Sequence, residues 1–244
     1  MIERTTAIPL AIYPYSARSH IVHWFTRHHG LLSTLLKNAQ HPRSRFLGEY
    51  QLFGTSELLF YARRKEGLHT AKECALLQPR HPYRTHWRAM QTASYLTALF
   101  RQLLPENAPA PHLYHHLECL LDYTLTHHAH PLYLPWAELS ITQLEGHTPQ
   151  LTHCAQCNTP HPTRFDPTQG TARCNTCTPK THTTLPLPSS LQTLINHLLQ
   201  TESPHALATL PLTPALRTAL HQLTAALITH TYQLHPRHRN AIAA

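Results

Sequence analysis

Apolar and polar residues alternate in five short segments of the N-terminal third, and this period of two predicts β-strands. Gly30 lies in the turn between the second and third segments, and Gly54 marks a bulge or bend within the fourth. Five short strands with glycine at the bends are what a small closed barrel requires. The predicted strands cover residues 5–14, 20–26, 31–36, 47–61 and 68–77.

Helical periodicity replaces this alternation from Pro82 onward. After a proline-rich linker at residues 179–188, Ser189 or Ser190 can cap a helix that runs through Leu199. Thr213 is a good N-cap residue and Pro214 suits the first turn, so a last helix begins there. The other predicted helices cover residues 84–104, 112–128 and 133–144, and residues 235–244 are expected to form a frayed tail.

These patterns indicate an α+β protein in which a five-stranded barrel precedes an all-helical domain. A cysteine-rich module interrupts the helical domain, and we expect the two helical parts to pack together. The predicted domains are the barrel (1–80), the first helical part (81–150), the cysteine module (151–182) and the second helical part (183–244).

Cys154, Cys157, Cys174 and Cys177 follow the spacing C-x2-C-x16-C-x2-C. Two tight knuckles separated by a short hairpin can hold one tetrahedral Zn²⁺ between four thiolates. A closed site of this kind has no position for water or substrate, so it stabilises a fold and does not catalyse. Redox chemistry of the CxxC pairs is the alternative interpretation.

The chain begins without the basic and apolar segments of a signal peptide and contains no run of eighteen apolar residues. With cysteines spaced for a metal, this predicts a cytoplasmic protein without a membrane partner. In that compartment Cys74 and Cys119, which both lie in apolar-rich segments, are expected to be buried free thiols.

The formal net charge of +8 is unevenly spread. Residues 1–80 have a net charge of +6, whereas residues 81–150 have a net charge of −2. A basic N-terminal third predicts that a polyanion is held mainly by the barrel. A basic surface without any partner is the simpler alternative.

Candidates for catalysis are scarce. Asp122 and Asp166 are the only aspartates, and no carboxylates are paired for a two-metal nuclease or a glycosidase. The motifs GxGxxG, GxxxxGK[ST], GxSxG and HExxH are absent, and the 24 histidines are scattered singly and in pairs. We therefore predict that the protein is not an enzyme, with a hydrolase or nuclease as the minor alternative.

Nucleic-acid binding has better support, because basic side chains and aromatic rings alternate along the predicted barrel. Trp24 and Phe25 are adjacent in one strand and point to opposite faces, so one of them must lie in the core. The aromatic candidates for stacking on bases are Tyr13, Tyr15, Trp24, Phe25, Phe46 and Phe53. The candidate phosphate-binding residues are Arg18, Arg27, Lys37, Arg43, Arg45, Arg63, Arg64 and Lys65.

Stretches along the chain share features, in the same order, with one known family. Residues 13–45 contain an apolar hairpin, then a lysine and a basic loop that ends in Arg-Ser-Arg. Residues 47–77 look like the final barrel strands of that family, and residues 149–177 look like its zinc knuckles and the loop between them. On these stretches the chain resembles the RecO family of bacterial recombination mediators.

The chain departs from the family pattern at several positions. Ala17 replaces a common glutamate, and an acidic position near His20 is lost. Asn38 and Asn158 replace glycines, which are mild changes because asparagine tolerates left-handed backbone angles. Thr171 replaces one glycine of a pair and leaves the geometry of that turn open.

The resemblance implies a barrel of the oligonucleotide-binding (OB) class, a helical domain and one structural Zn²⁺. It implies a cytoplasmic, nucleoid-associated protein that binds single- and double-stranded DNA and anneals complementary strands. With RecR, such proteins help RecA to replace single-strand-binding protein, whose acidic C-terminal tail they recognise. The alternative is a zinc-ribbon module that binds proteins and makes little direct contact with DNA.

Overall fold

The computed structural model describes residues 1–63, 67–104, 108–178, 183–233 and 239. The chain divides into two compact units, residues 1–125 and residues 126–244. The finer division into four domains stays a prediction. No helix in the described parts of the chain combines the length and the apolar character needed to span a membrane.

The first unit opens with five strands that close into a barrel, as predicted. The first three strands form an antiparallel meander, and the fourth pairs with the first. The fifth strand closes the barrel because it pairs antiparallel with the fourth and parallel with the third. The strands are β1 (Ile2–Ser16), β2 (Ser19–Thr26), β3 (Gly30–Leu36), β4 (Thr55–Tyr61) and β5 (His69–Gln78).

The fourth strand is shorter than predicted, because residues 47–54 form turns and β4 begins only at Thr55. Phe53 has a φ of +67°, a left-handed conformation that a strand ladder does not accept. Two aromatic rings in and beside this stretch are buried instead of paired, since Phe46 and Phe53 are only 5% and 4% exposed, whereas Leu47 and Leu52 face the surface. Burial of these rings outweighs the local strand pattern.

The C-terminal end of β2 is buried on both faces, and Trp24 and Phe25 are each fully inaccessible. Trp24 lies in the core cluster inside the barrel and donates a hydrogen bond of 2.8 Å to the Thr34 hydroxyl. Phe25 packs instead against Phe100 and Tyr114, with ring centroids 6.2 and 5.5 Å away. Neither ring can stack on a nucleic-acid base, which corrects the sequence-based hypothesis.

The helices that cover Phe25 complete the first unit. They are α1 (Trp87–Leu103) and α2 (Pro111–His127), and a short 3-10 helix (His81–Arg84) precedes them. The first helix therefore begins at Trp87, three residues after its predicted start at residue 84. The reason is Pro82, whose fixed φ suits the tight preceding turn.

The second unit joins helices from before and after the cysteine module, since α3 contacts both α4 and α5. Thr213 caps the last helix as predicted, because its hydroxyl accepts the Leu216 N–H at 3.2 Å. The predicted serine cap of α4 is wrong, because Pro188 occupies the N-cap. The elements are α3 (Tyr133–Leu144), β6 (Arg164–Asp166), β7 (Thr171–Arg173), β8 (Leu185–Pro186), α4 (Ser189–Gln200) and α5 (Pro214–Tyr232), with a 3-10 helix at Pro204–Thr209.

A buried ion pair ties the C-terminal segment to this unit. Both the Nε and an Nη atom of Arg239 donate to the Glu138 carboxylate, at 2.6 and 2.7 Å, and the Thr224 hydroxyl accepts a further bond. Burial of an ion pair is tolerated only with such complete hydrogen bonding. The rest of the predicted tail, residues 235–238 and 240–244, lies outside the described residues.

Candidate functional site

Backbone hydrogen bonds shape the first cysteine knuckle. The Cys154 N–H donates to the Thr159 carbonyl and the Asn158 N–H donates to the Cys154 carbonyl, each at 2.9 Å. Asn158 has a φ of +57°, so asparagine supplies the left-handed conformation that glycine usually supplies here. The departure from the family pattern at this position therefore leaves the turn intact.

The small sheet brings the second knuckle against the first. The Ala155 N–H donates to the Ala172 carbonyl at 2.9 Å, which joins the first knuckle to β7. Strand β7 leads directly into Cys174, and the Cys177 N–H donates back to the Cys174 carbonyl at 3.2 Å. Two knuckles that are distant in sequence thus face one another.

The four sulfur atoms form a possible metal-binding site, because all of them lie within 4.8 Å of one another. The Cys157 and Cys174 sulfurs are 3.7 Å apart. A zinc–sulfur bond of about 2.3 Å places neighbouring sulfurs of a tetrahedron about 3.8 Å apart. The donor set and its spacing therefore fit one Zn²⁺.

Hydrogen bonds within the cluster shift the pKa values of three of its thiols in different directions. Burial opposes ionisation of Cys154, but hydrogen bonds led by the Cys157 backbone lower its pKa to about 6. The Thr176 hydroxyl lowers the pKa of Cys174, whereas the neighbouring Cys174 and Cys157 groups raise the pKa of Cys177 to about 12. Four thiolates this close repel one another, and a bound cation removes that conflict.

Thr171 lies within β7, and the turn before it is made by Gly170, which has a φ of +64°. The lost glycine is therefore not needed for a left-handed angle at Thr171. Its Oγ1 atom is buried without a hydrogen-bond partner, which is the structural cost of this departure.

The two remaining cysteines lie apart from the cluster and are free thiols. Cys74 is buried inside the barrel, and burial raises the pKa of its thiol to about 12. Cys119, on α2, is only half-buried, so the expectation of burial was wrong for this residue. The helix turns it towards the surface rather than into the α2 core face.

A basic cleft of about 790 Å³ lies on the first unit. Four of the predicted phosphate-binding residues line it, namely Arg18, Lys37, Arg43 and Arg45. None of its described lining residues carries a carboxylate. A concave surface of one charge focuses the electric field and attracts a polyanion.

Contacts between two loops create this cleft. The Gln40 N–H donates to the Arg18 carbonyl at 3.1 Å, and the Asn38 N–H donates to the Ser19 hydroxyl at 3.1 Å. Asn38 has a φ of +54°, which turns the chain sharply as it leaves β3. Phe46 then anchors the far end of the loop in the barrel core. The loop that carries Arg43 and Arg45 is thus held beside the β1–β2 turn.

Two further cleft residues were missed by sequence reasoning. Lys72 comes from β5, and Tyr61 ends β4 with 46% of its surface exposed. Lys72 alternates with the buried Ala71 on its strand, and this alternation is the signal that identifies it as outward-facing. Tyr61 is an exposed ring beside the cations, as stacking on a base requires.

The other predicted phosphate-binding residues do not join them. Arg27 and Arg63 are exposed but are absent from the cleft lining. Arg27 lies in the turn between β2 and β3, and Arg63 follows β4. Arg64 and Lys65 lie outside the described residues. The aromatic candidates Phe46 and Phe53 are buried, whereas Tyr13 and Tyr15 remain 43% and 59% exposed.

Comparisons with known proteins cover almost the whole chain. The family profile described as "Recombination protein O N terminal" matches residues 1–80, and the profile "Recombination protein O C terminal" matches residues 84–240. The first boundary coincides with the end of the barrel and the second match contains the cysteine cluster.

Several relatives are each named "DNA repair protein RecO". The protein of Syntrophus aciditrophicus is 27% identical over 191 residues, which span 76% of this chain and 74% of the relative. The protein of Halalkalibacterium halodurans is 24% identical, over 74% of this chain and 70% of its own length. For Prosthecochloris aestuarii the identity is 24%, and the match spans 63% of this chain but only 59% of the relative. The barrel, the cysteine cluster and both profile matches agree, and the chain belongs to the RecO family of DNA repair proteins.

Proposed function

We propose that this chain binds DNA through the basic cleft and anneals complementary strands. The observation that supports this proposal is the convergence of Arg18, Lys37, Arg43, Arg45 and Lys72 on one concave surface. Two DNA strands repel one another, and a surface that neutralises both lowers that repulsion. Strand pairing changes no covalent bond, so this role needs no catalytic residue.

The binding test uses a fluorescent single-stranded oligonucleotide and the double variant Arg43→Glu/Arg45→Glu. Each lost phosphate contact reduces the slope of log affinity against log salt by about 0.7. We expect weaker binding to oligonucleotides of every sequence and a shallower salt dependence. A loss confined to particular sequences would contradict contact with phosphates.

Arg4→Glu is the matched control, because Arg4 is exposed and lies outside the cleft lining. Its ion pair with Glu57, 3.8 Å apart at the surface, contributes little stability. Equal losses for the control and the cleft variant would show a general charge effect. Undetectable DNA binding by the unaltered chain, together with capture of protein partners, would favour the alternative of a protein-interaction module.

The cysteine cluster has a supporting role in this proposal. Cys154, Cys157, Cys174 and Cys177 would hold one Zn²⁺, whose bonds to the two knuckles stabilise the module. Within the second unit, the module contacts the last helix: a side chain added at Gly170 would approach Leu227 of α5 at 3.8 Å. Zinc would therefore act on stability and not on DNA directly.

We further propose that the chain acts with RecR to help RecA replace single-strand-binding protein. The decisive assay is annealing of complementary oligonucleotides coated with single-strand-binding protein. A mediator accelerates this reaction, whereas a passive DNA-binding protein or a nuclease does not. Strand cleavage with metal-dependent turnover would instead support the hydrolase alternative.

A groove of about 690 Å³ in the second unit suits the acidic tail of single-strand-binding protein. Apolar residues, among them Leu212, Pro214 and Ala225, line it beside Arg217. An apolar groove with a guanidinium matches a peptide that carries both apolar side chains and carboxylates. A labelled tail peptide should bind the chain and lose affinity on Arg217→Glu; unchanged affinity would place the tail elsewhere.

A further inference from the structure

An exposed tryptophan stands at the start of α1. Trp87 is 58% exposed, whereas Trp24 and Trp136 are 0% and 3% exposed. Met90, one helical turn further on, is 44% exposed. The same helix buries Ala89 and Ala93 completely, so Trp87 is not needed to complete the core. Exposed apolar side chains that adjoin one another, unlike single ones, mark interaction sites.

Two arginines lie close to Trp87 in the sequence. The Arg88 guanidinium lies over the indole, 5.5 Å from the ring centroid. Arg84 ends the preceding 3-10 helix, three residues before Trp87. Both arginines are exposed, and no carboxylate of the described residues forms an ion pair with either. Within the described part of the chain, no carboxylate competes with an external anion for these two cations.

The segment around Trp87 carries only positive charges. Residues 79–104 contain four arginines and no aspartate or glutamate. Arg80 is buried against Asp122, and Arg101 donates to the Tyr13 hydroxyl at 3.3 Å, so these two are engaged. Arg84 and Arg88 form no ion pair with a carboxylate of the described residues, and both lie within three residues of Trp87, the exposed tryptophan.

We propose that Arg84, Trp87, Arg88 and Met90, here called the Trp87 patch, bind a second single strand of nucleic acid. The inference rests on the proposed annealing function. Phosphates pair with the two guanidinium groups while a base stacks on the indole ring or on Met90. The patch shares no residue with the basic cleft, so two strands can be bound at once.

Nucleic acid fits the patch better than a protein partner does. Stacking on an indole beside unpaired arginines is the recurring chemistry of single-strand binding. A protein partner would have to supply carboxylates for the same two arginines and an apolar surface for Trp87. An annealing protein also needs contacts for two strands, and the Trp87 patch adds cations and an exposed ring outside the cleft.

Stoichiometry tests the proposal directly, with oligothymidylates of about six nucleotides, a length suited to one site. These strands cannot pair, so each bound strand reports a contact with protein. We expect two strands per chain for the unaltered protein, one tight and one weak. The double variant Arg84→Glu/Trp87→Ala should retain the tight strand and lose the weak one, whereas Arg43→Glu/Arg45→Glu should lose the tight strand.

Intrinsic fluorescence provides a second readout, because Trp87 is the accessible one of the three tryptophans. The weak strand should quench this emission and shield the ring from acrylamide. Trp87→Phe should abolish the signal change and keep most of the annealing rate, because phenylalanine still stacks. Trp87→Ala should lower both the affinity of the weak strand and the annealing rate by about fivefold or more.

The outcomes separate this inference from the proposed function. One bound strand in the unaltered protein, or two in the patch variant, overturns the inference and leaves DNA binding by the cleft intact. Acrylamide access that is unchanged by saturating oligothymidylate overturns it as well. Failure of the unaltered protein to bind any oligothymidylate would overturn the proposed function itself. Circular dichroism of each variant confirms that these surface substitutions preserve the fold.

Discussion

The Arg80 guanidinium and the Asp122 carboxylate join the end of the barrel to α2, with Nε and Oδ1 2.7 Å apart. The Arg80 side chain is only 1% exposed, whereas that of Asp122 is 46% exposed. Arg80 also donates to the Phe53 carbonyl at 2.7 Å and to the Thr55 hydroxyl at 3.1 Å. One buried cation therefore links the loop before β4, β4 itself and α2.

Removal of Asp122 should destabilise the chain more than its exposure suggests. Asp122→Ala leaves the buried Arg80 cation without its counter-charge, so we expect a loss of about 1–3 kcal/mol in unfolding free energy. Urea denaturation measures this loss. Glu57→Ala is the control, since its partner Arg4 is exposed, and it should cost less than about 0.5 kcal/mol. Equal midpoints for the two variants would show that the Arg80 contacts are not coupled to stability.

Gly30 cannot be replaced without strain. Its φ is +67°, and an added Cβ would collide with the backbone carbonyl of Ala108. Gly48 has a similar φ of +85° but open space around it, so Gly48→Ala measures the conformational cost alone. We expect about 1 kcal/mol for Gly48→Ala and clearly more for Gly30→Ala. Equal costs would mean that the residue 108 segment moves freely away from the β2–β3 turn.

The cysteine cluster predicts one zinc per chain by elemental analysis. Cys154→Ser should lose the metal and lower the melting temperature, because it removes one of four ligands from a site that closes the module. Cys119→Ser is the control, since Cys119 lies outside the cluster. Two or more zinc equivalents would show that histidines also bind metal, and an unchanged melting temperature on chelation would exclude a structural role.

The first unit should lose stability in mild acid. Burial, reinforced by the adjacent His115, lowers the pKa of His116 to about 4, below the usual 6.5. The unfolded chain therefore binds a proton that the folded chain refuses, and stability falls as the pH drops from about 6.5 to 4. We expect a loss of about 1–2 kcal/mol across that window, reduced from the full pKa difference because the ring is partly exposed. Denaturation of His116→Leu at pH 7 and pH 5 should show a smaller pH dependence; an identical dependence would assign the effect to other histidines.

Local patterns identified most of the fold. The apolar periods located four of the five barrel strands and all five helices, because periods of two and of 3.6 residues follow from backbone geometry alone. They failed over residues 47–54, where Tyr50 packs against the barrel core and Phe53 packs against Tyr83 without pairing in a ladder. Local sequence does not distinguish an apolar segment that pairs as a strand from one whose side chains are buried without strand pairing.

The barrel class, the helical remainder, the two cysteine knuckles and the family could be predicted from residue order, because each depends on short spacings along the chain. Which cations share one surface could be read only from the folded chain. Loop contacts bring Arg18 beside the loop of Arg43 and add Lys72 from β5, while Arg27 and Arg63 remain outside. The tertiary structure also decided that Phe25 is covered by helices and Trp87 is not. Burial depends on which distant segments pack together, and that information lies in no single stretch of sequence.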